Sequence, residues 1–212
     1  MLIPYSKVVE ICLQNNIHLN GVFHVGAHEC EELIDYIKNG IQYDNIVWVE
    51  GNKDIYNRMC ERGIKNMIHA VVDEFSGKEV TFNITNNGQS SSILDLGTHQ
   101  QHHPDVWVTS KQTYITTNIQ DIAKEHNLNF TKYNFWNFDI QGAELLALKG
   151  AGDLLYFPNA LYLEVNTEKV YKDCALIEEI DAYVAKFKFK RVLTKMTSAG
   201  WGDALYIKSS EV

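Results

Sequence analysis

The chain has few cysteines, few prolines and no long apolar run. Its four cysteines, Cys12, Cys30, Cys60 and Cys174, are scattered without a C-x-x-C pair. That argues against a structural zinc site and against a disulfide framework in a chain of 212 residues. Reduced thiols suit a cytoplasmic setting. No apolar stretch approaches the roughly 20 residues needed to cross a bilayer. The start, Met1-Leu2-Ile3-Pro4-Tyr5, has neither the charged beginning nor the apolar core of a signal peptide. Basic residues are also scarce, 19 against 27 acidic ones, for a formal charge of -8. The densest basic run, Lys186-Phe187-Lys188-Phe189-Lys190-Arg191, reads as a helix end entering a strand. This balance argues against a nucleic-acid partner and against an anionic membrane surface. Repeats, low-complexity tracts and linkers are missing as well. With 45% hydrophobic residues the chain can bury one substantial core, so a single domain over 1–212 is expected, residues 1–20 being an N-terminal helix ahead of it.

What is present is an alternation of strand and helix patterns. Strands are expected at 22–25, 46–49, 67–72, 78–84, 133–140, 160–165, 191–194 and 204–207, the one at 78–84 at an edge. Helices are expected at 6–15, 29–38, 54–62, 117–126, 143–149 and 173–187. Gly40, Gly63 and Gly150 supply helix stops, and Thr117 or Asn118 supplies a cap. Residues 85–113 lack periodicity and read as a long loop, a length that usually marks function or disorder. Such alternation builds a parallel sheet covered on both faces. The last two strands are joined by a link too short for a crossover and must be antiparallel. The fold class is therefore α/β: a doubly wound, Rossmann-like sheet, mostly parallel with an antiparallel C-terminal hairpin, the layout of a class I methyltransferase fold.

In such a sheet a ligand lies beyond the carboxyl ends of the strands, where strand order reverses. Val22-Phe23-His24-Val25 runs into Gly26, and Glu50 ends the next strand near the spacing of roughly 20 residues at which such units place a ribose-binding acid. Asp139 and Glu164 end two later strands. A dinucleotide needs several glycines to cradle its pyrophosphate. Here the turn Gly26-Ala27-His28-Glu29-Cys30 has one glycine and an acid. A carboxylate repels pyrophosphate but suits S-adenosylmethionine, whose sulfonium and ammonium are cationic. An NAD-dependent sugar oxidoreductase or epimerase is accordingly the weaker alternative. A non-catalytic scaffold on the same fold is the other. Asp139, Glu164 and Asn166 offer hard oxygens and His99, His102 and His103 offer nitrogens, but neither set has metal-ligand spacing, and no metal is expected.

The block from Phe138 to Ala151, Phe-Asp-Ile-Gln-Gly-Ala-Glu-Leu-Leu-Ala-Leu-Lys-Gly-Ala, resembles the signature of FkbM-type methyltransferases. Val25-Gly26-Ala27, Glu50, Leu163-Glu164-Val165 and Asp203-Ala204-Leu205-Tyr206 resemble that family's other landmarks, in order, over roughly residues 20 to 208. Three positions depart from the pattern. His24 stands where the family has Asp, His28-Glu29-Cys30 replaces an Asn followed by Gly, and Gln141 replaces a common Glu. The first departure leaves the methionine ammonium to Glu29 or Asp139.

The resemblance implies methyl transfer from S-adenosylmethionine to a hydroxyl oxygen, here a small-molecule or glycan acceptor, in line with the departing sulfur. Together with the strand-end argument it nominates His24, Gly26, Ala27, His28, Glu29, Glu50, Gly51, Val71, Ser91, Asp139, Ile140 and Gln141 as cofactor contacts. Asp139 is the first candidate base, followed by His99 and then Glu164, since a base within reach assists a poor hydroxyl nucleophile. Trp107, Tyr171 and Trp201 are candidates to shape the acceptor site.

Overall fold

The computed structural model describes residues 1–209. Helix α1 (Tyr5–Gln14) follows Pro4 and buries Tyr5, Val8 and Cys12, one stripe at helical spacing. Strand β1 (Val22–Val25) leads through the glycine turn to α2 (Leu33–Lys38), then β2 (Ile46–Glu50) and α3 (Lys53–Glu61). The Asn52 side chain caps α3 by accepting from the Asp54 and Ile55 N–H groups. There follow β3 (Met67–His69), β4 (Val71–Val72), β5 (Glu79–Thr85), the single turn α4 (His99–His102) and β6 (Val108–Thr117). The chain ends with α5 (Ile119–Glu125), β7 (Phe135–Phe138), α6 (Glu144–Ala151), β8 (Ala160–Asn166), α7 (Ile177–Val184), β9 (Phe189–Met196) and β10 (Trp201–Lys208).

Seven strands form the main sheet in the order β3-β2-β1-β7-β8-β10-β9. β1, β2, β3, β7 and β8 run parallel, whereas β10 lies antiparallel between β8 and β9. Strand order reverses between β1 and β7, so their carboxyl ends flank the crevice. Successive residues face opposite cores. Phe23, Val25, Trp136, Phe138, Leu161, Leu163 and Val165 pack under α5, α6 and α7. Val22, Trp48, Phe135 and Tyr162 pack under α1, α2 and α3. With both faces covered, the strands read as near-continuous apolar runs, interrupted at His24 and Asn137. Each such side chain contributes about 1.5–3 kcal/mol of burial energy.

Four expectations need correction. The single strand at 67–72 is two: after His69 the chain leaves the main sheet, and Val71–Val72 pairs with β6 in a separate sheet ordered β4-β6-β5. The loop at 85–113 ends earlier, because β6 pairs antiparallel with β5 from Val108 onward. One face of that strand is exposed and the other is only partly covered, through Val108, Gln112, Tyr114 and Thr116, so it carries no alternation of apolar and polar residues to betray it. The helices expected at 29–38 and 173–187 begin at Leu33 and Ile177, since the residues before each are used in turns beside the crevice. Among the described residues no helix is long and apolar enough to cross a membrane.

Candidate active site

A cavity of about 470 Å³ opens at the carboxyl ends of β1, β2, β7 and β8 and the amino end of the antiparallel β10. Its first wall is the turn after β1. Gly26 has φ +87°, and a Cβ there would lie 1.8 Å from the Asp139 carbonyl oxygen, so only glycine lets the two strand exits meet. The Gly26 and Ala27 N–H groups donate to Val49 O at 2.9 and 3.0 Å, tying the turn to β2. The next N–H, that of His28, donates to Glu50 Oε2 at 2.8 Å, and Asn52 N–H donates to Glu50 Oε1 at 2.6 Å. Burial raises the affinity of Glu50 for a proton, and these two bonds oppose the rise. The carboxylate is thus oriented with one backbone donor on each oxygen.

Beyond Glu50 the wall is apolar, made by Val71, Val72 and Phe82. A Cβ on Gly51 would come within 3.2 Å of the Phe82 ring and 3.4 Å of Val71, so the missing side chain is what lets these groups close on one another. The opposite end is acidic. Gln141 Nε2 donates to Asp139 Oδ1 at 2.6 Å and to Glu164 Oε2 at 2.7 Å, bridging a carboxyl group that is open to the cavity and one that is buried. Tyr171 O–H donates to Gln141 Oε1 and sets the amide's orientation. Desolvation at the floor of the cavity, with the nearby charge of Asp203, pushes Asp139 up to about 6. Glu164, buried beside Asp139, Glu144 and Asp203, is pushed well above the usual carboxylate range. Glu144 stands behind this pair. It accepts from Ile140 and Gly142 N–H at 2.9 and 3.3 Å and so holds the strand exit in place, while burial raises it to about 8.

The model of the methyltransferase FkbM domain matches residues 24–191. The chain belongs to the FkbM family of S-adenosylmethionine-dependent methyltransferases. A crystal structure of methyltransferase FkbM from Methylobacillus flagellatus superposes with a TM-score of 0.53 at 15% identity, over 89% of this chain and 43% of that one. The METTL16 methyltransferase domain superposes with a TM-score of 0.52 at 11% identity, over 96% of this chain and 65% of that one. At such identities the likeness is one of fold, and the chain spans less than half of the FkbM structure. No curated protein matches the chain.

The cavity fits the family's cofactor. A carboxylate suited to a ribose diol, an apolar slot suited to a flat base and an acidic end suited to a sulfonium and an ammonium follow one another along it. Among the nominated residues, His24, Gly26, Ala27, His28, Glu50, Gly51, Val71, Ser91, Asp139, Ile140 and Gln141 all line it. Glu29 does not. It reaches outward to Arg58 at 2.9 Å and Arg62 at 2.8 Å, so it is placed away from the task left open by His24. His24 itself is buried, its Nδ1 lying 3.1 Å from Tyr36 Oη, which also accepts from Asn137 Nδ2 at 2.8 Å. Burial lowers the imidazole to about 3, so it is neutral and adds no cation to repel a sulfonium. The departure at 28–30 is accommodated at a strain: His28 (φ 43°) and Cys30 (φ 55°) take the left-handed conformation that Asn and Gly adopt most readily.

His99 lines the same cavity but is no mobile loop histidine. It sits in α4 at 5% exposure, and burial and the neighbouring His103 and His102 lower it to about 4. That makes it a weaker base than its ordinary range suggests. Its neighbour His102 pairs with Glu168 at 2.8 Å. Tyr171 and Trp201 reach the cavity, whereas Trp107 is 52% exposed and outside its lining. Glu32, Phe82 and Asp203 line the cavity without having been singled out as contacts. Asp203 was legible as a family landmark. Glu32 and Phe82 had no signal, because only the packing of α2 and of the second sheet brings them in.

Proposed function

We propose that the chain is an O-methyltransferase, transferring the methyl group of S-adenosylmethionine to a hydroxyl of a sugar or glycan. When bound, the cofactor supplies an electrophilic methyl group, its carbon–sulfur bond breaking as the carbon–oxygen bond forms. Glu50 receives the ribose hydroxyls. Val71 and Phe82 enclose the adenine, and the turn from Gly26 to His28 borders the methionine portion. Asp139 accepts the proton that the acceptor hydroxyl loses. Glu164, whose proton is held more tightly, donates a hydrogen bond to a substrate oxygen. Alignment of the oxygen with the methyl group supplies much of the rate.

The observation that carries this reading is the Glu50 carboxylate, held by two backbone donors at one end of a cavity whose other end is acidic. Calorimetric titration with S-adenosylhomocysteine tests it. The wild type is expected to bind in the micromolar range, and Glu50→Ala to bind at least ten-fold more weakly, a loss of about 1.4 kcal/mol. Folded wild-type protein that ignores the compound refutes the reading. Methyl transfer from labelled S-adenosylmethionine to hydroxylated acceptors, with the product's linkage determined, tests the choice of oxygen.

A further inference from the structure

Gln141 is held in an unfavourable conformation. Its φ is 57°, in the left-handed region that residues other than Gly, Asn and Asp seldom adopt. Such a conformation persists only where the surroundings enforce it. The enforcing contacts come from two segments remote in sequence. The Ser92 hydroxyl donates to the Gln141 carbonyl oxygen at 2.8 Å, and the Tyr171 hydroxyl donates to Gln141 Oε1. The next residue, Gly142 (φ +96°), packs on the same ring: a Cβ there would lie 3.1 Å from Tyr171 Cβ.

The two segments are themselves docked. The Gly97 and His99 N–H groups donate to Val170 O at 2.9 and 3.1 Å, Thr98 N–H donates to Lys169 O at 3.1 Å, and Lys172 N–H donates to Asp95 O at 2.8 Å. Leu96 and Tyr171 form an antiparallel bridge between them. A Cβ on Gly97 would lie 2.1 Å from the Lys169 carbonyl oxygen, so only glycine allows this approach. Segment 92–99 borders the cavity through Ile93 and His99, and the buried Tyr171 lines it too.

A glutamine amide has one oxygen that accepts and one NH₂ group that donates twice. With Oε1 engaged by Tyr171, both hydrogens of Nε2 go to the acids, Asp139 at 2.6 Å and Glu164 at 2.7 Å. The last torsion of a glutamine is broad and two-fold. Without the Tyr171 hydroxyl the amide is free to turn, which sets its oxygen against the Asp139 carboxylate and withdraws the donor.

We propose that Tyr171 and Ser92 are positioning residues for methyl transfer: docking of 92–99 on 169–172 holds Gln141 in its left-handed conformation with its amide on Asp139, so the joined segments set the base in place. This rests on the methyltransferase reading with Asp139 as base. The titratable groups that face Asp139 are Glu164 and Tyr162 on β8, Asp203 on β10, Glu144 on α6, Glu32 ahead of α2, the Met1 ammonium and Tyr171. His24 on β1, at the same end of the cavity, is neutral. Removing the Tyr171 hydroxyl leaves every other member of this set in the chain, and desolvation keeps that hydroxyl protonated far above the pH range concerned.

The test is a carbon NMR titration of the full chain labelled at the aspartate carboxyl carbons, with the Asp139 signal assigned by its loss in Asp139→Asn. The wild-type midpoint is expected near 6. Tyr171→Phe keeps the ring and is expected to raise it by about 0.5 units or more, the share of one neutral hydrogen bond. Gly97→Ala, which forces the two segments apart, is expected to raise it as well, and Ser92→Ala serves should either variant fail to fold. In Gln141→Leu the midpoint is already raised, and adding Tyr171→Phe is expected to move it no further, because the hydroxyl acts through the amide. A midpoint that stays at the wild-type value in folded Tyr171→Phe or Gly97→Ala overturns the proposal, as does an additive shift in the double variant. Calorimetry with S-adenosylhomocysteine runs beside it: an absence of binding to the wild type strikes the underlying methyltransferase reading, so the two failures are distinct.

Discussion

Gln141 is the residue on which the acid–base chemistry can be examined most directly. Its amide gives one hydrogen to Asp139 at 2.6 Å and the other to Glu164 at 2.7 Å. The bond to Asp139 favours the carboxylate and works against the desolvation and the Asp203 charge that raise this group to about 6. Gln141→Leu keeps the side chain's approximate size but removes both donors. A hydrogen bond to a charged group contributes about 1.5–3 kcal/mol. At roughly 1.36 kcal/mol per unit, losing it should raise the Asp139 carboxyl by about 1–2 units.

The sign follows from the role of the group. A base works when deprotonated, so wild-type kcat/KM should rise with pH through about 6 and then level off. In Gln141→Leu the same rise should be centred about 1 unit higher or more. The assay is transfer of labelled methyl from S-adenosylmethionine across the pH range, with S-adenosylhomocysteine affinity measured in parallel to separate lost binding from lost basicity. A rise that stays centred near the wild-type value, in a variant that still binds the product, would show that Asp139 is not the base.

Two further predictions concern stability. Gly26→Ala should abolish cofactor binding and lower the melting temperature, because its Cβ would meet the Asp139 carbonyl at 1.8 Å in a left-handed conformation; a variant with wild-type melting and affinity contradicts the packing described. Glu144→Gln keeps an oxygen for the Ile140 and Gly142 N–H groups but cannot ionise. Because folding raises Glu144 from 4.5 to about 8, the wild type loses stability as pH climbs through that window. The variant's advantage in melting temperature should therefore grow between pH values near the two ends, and a difference that is flat with pH argues against the burial of this carboxyl.

How far the site could be read in advance depended on where each residue's signal resides. Gly26, Glu50 and Asp139 follow strands whose apolar runs are evident, and their positions at strand ends come with the pattern. Glu29 lay next to them in sequence and was drawn into the same group. The left-handed turn at His28 and Cys30 sends it outward to Arg58 and Arg62, a direction that spacing does not encode. His99 was placed near the crevice, but its lowered basicity comes from burial among groups remote in sequence.

The chain by itself determined the alternation of main-sheet strands with helices, the antiparallel final pair and the acids at the strand ends. These follow from apolar periodicity, from the reach of a short connection and from local motifs. Tertiary structure alone decided that Val71–Val72 leaves the main sheet for a second one, that Gln141 bridges two carboxyl groups, and that Glu32 and Asp203 join Asp139 and Glu164 around one space. Those arrangements depend on contacts between segments far apart in the chain. The proton affinities of the buried groups depend on the same contacts, because desolvation acts on a position in space.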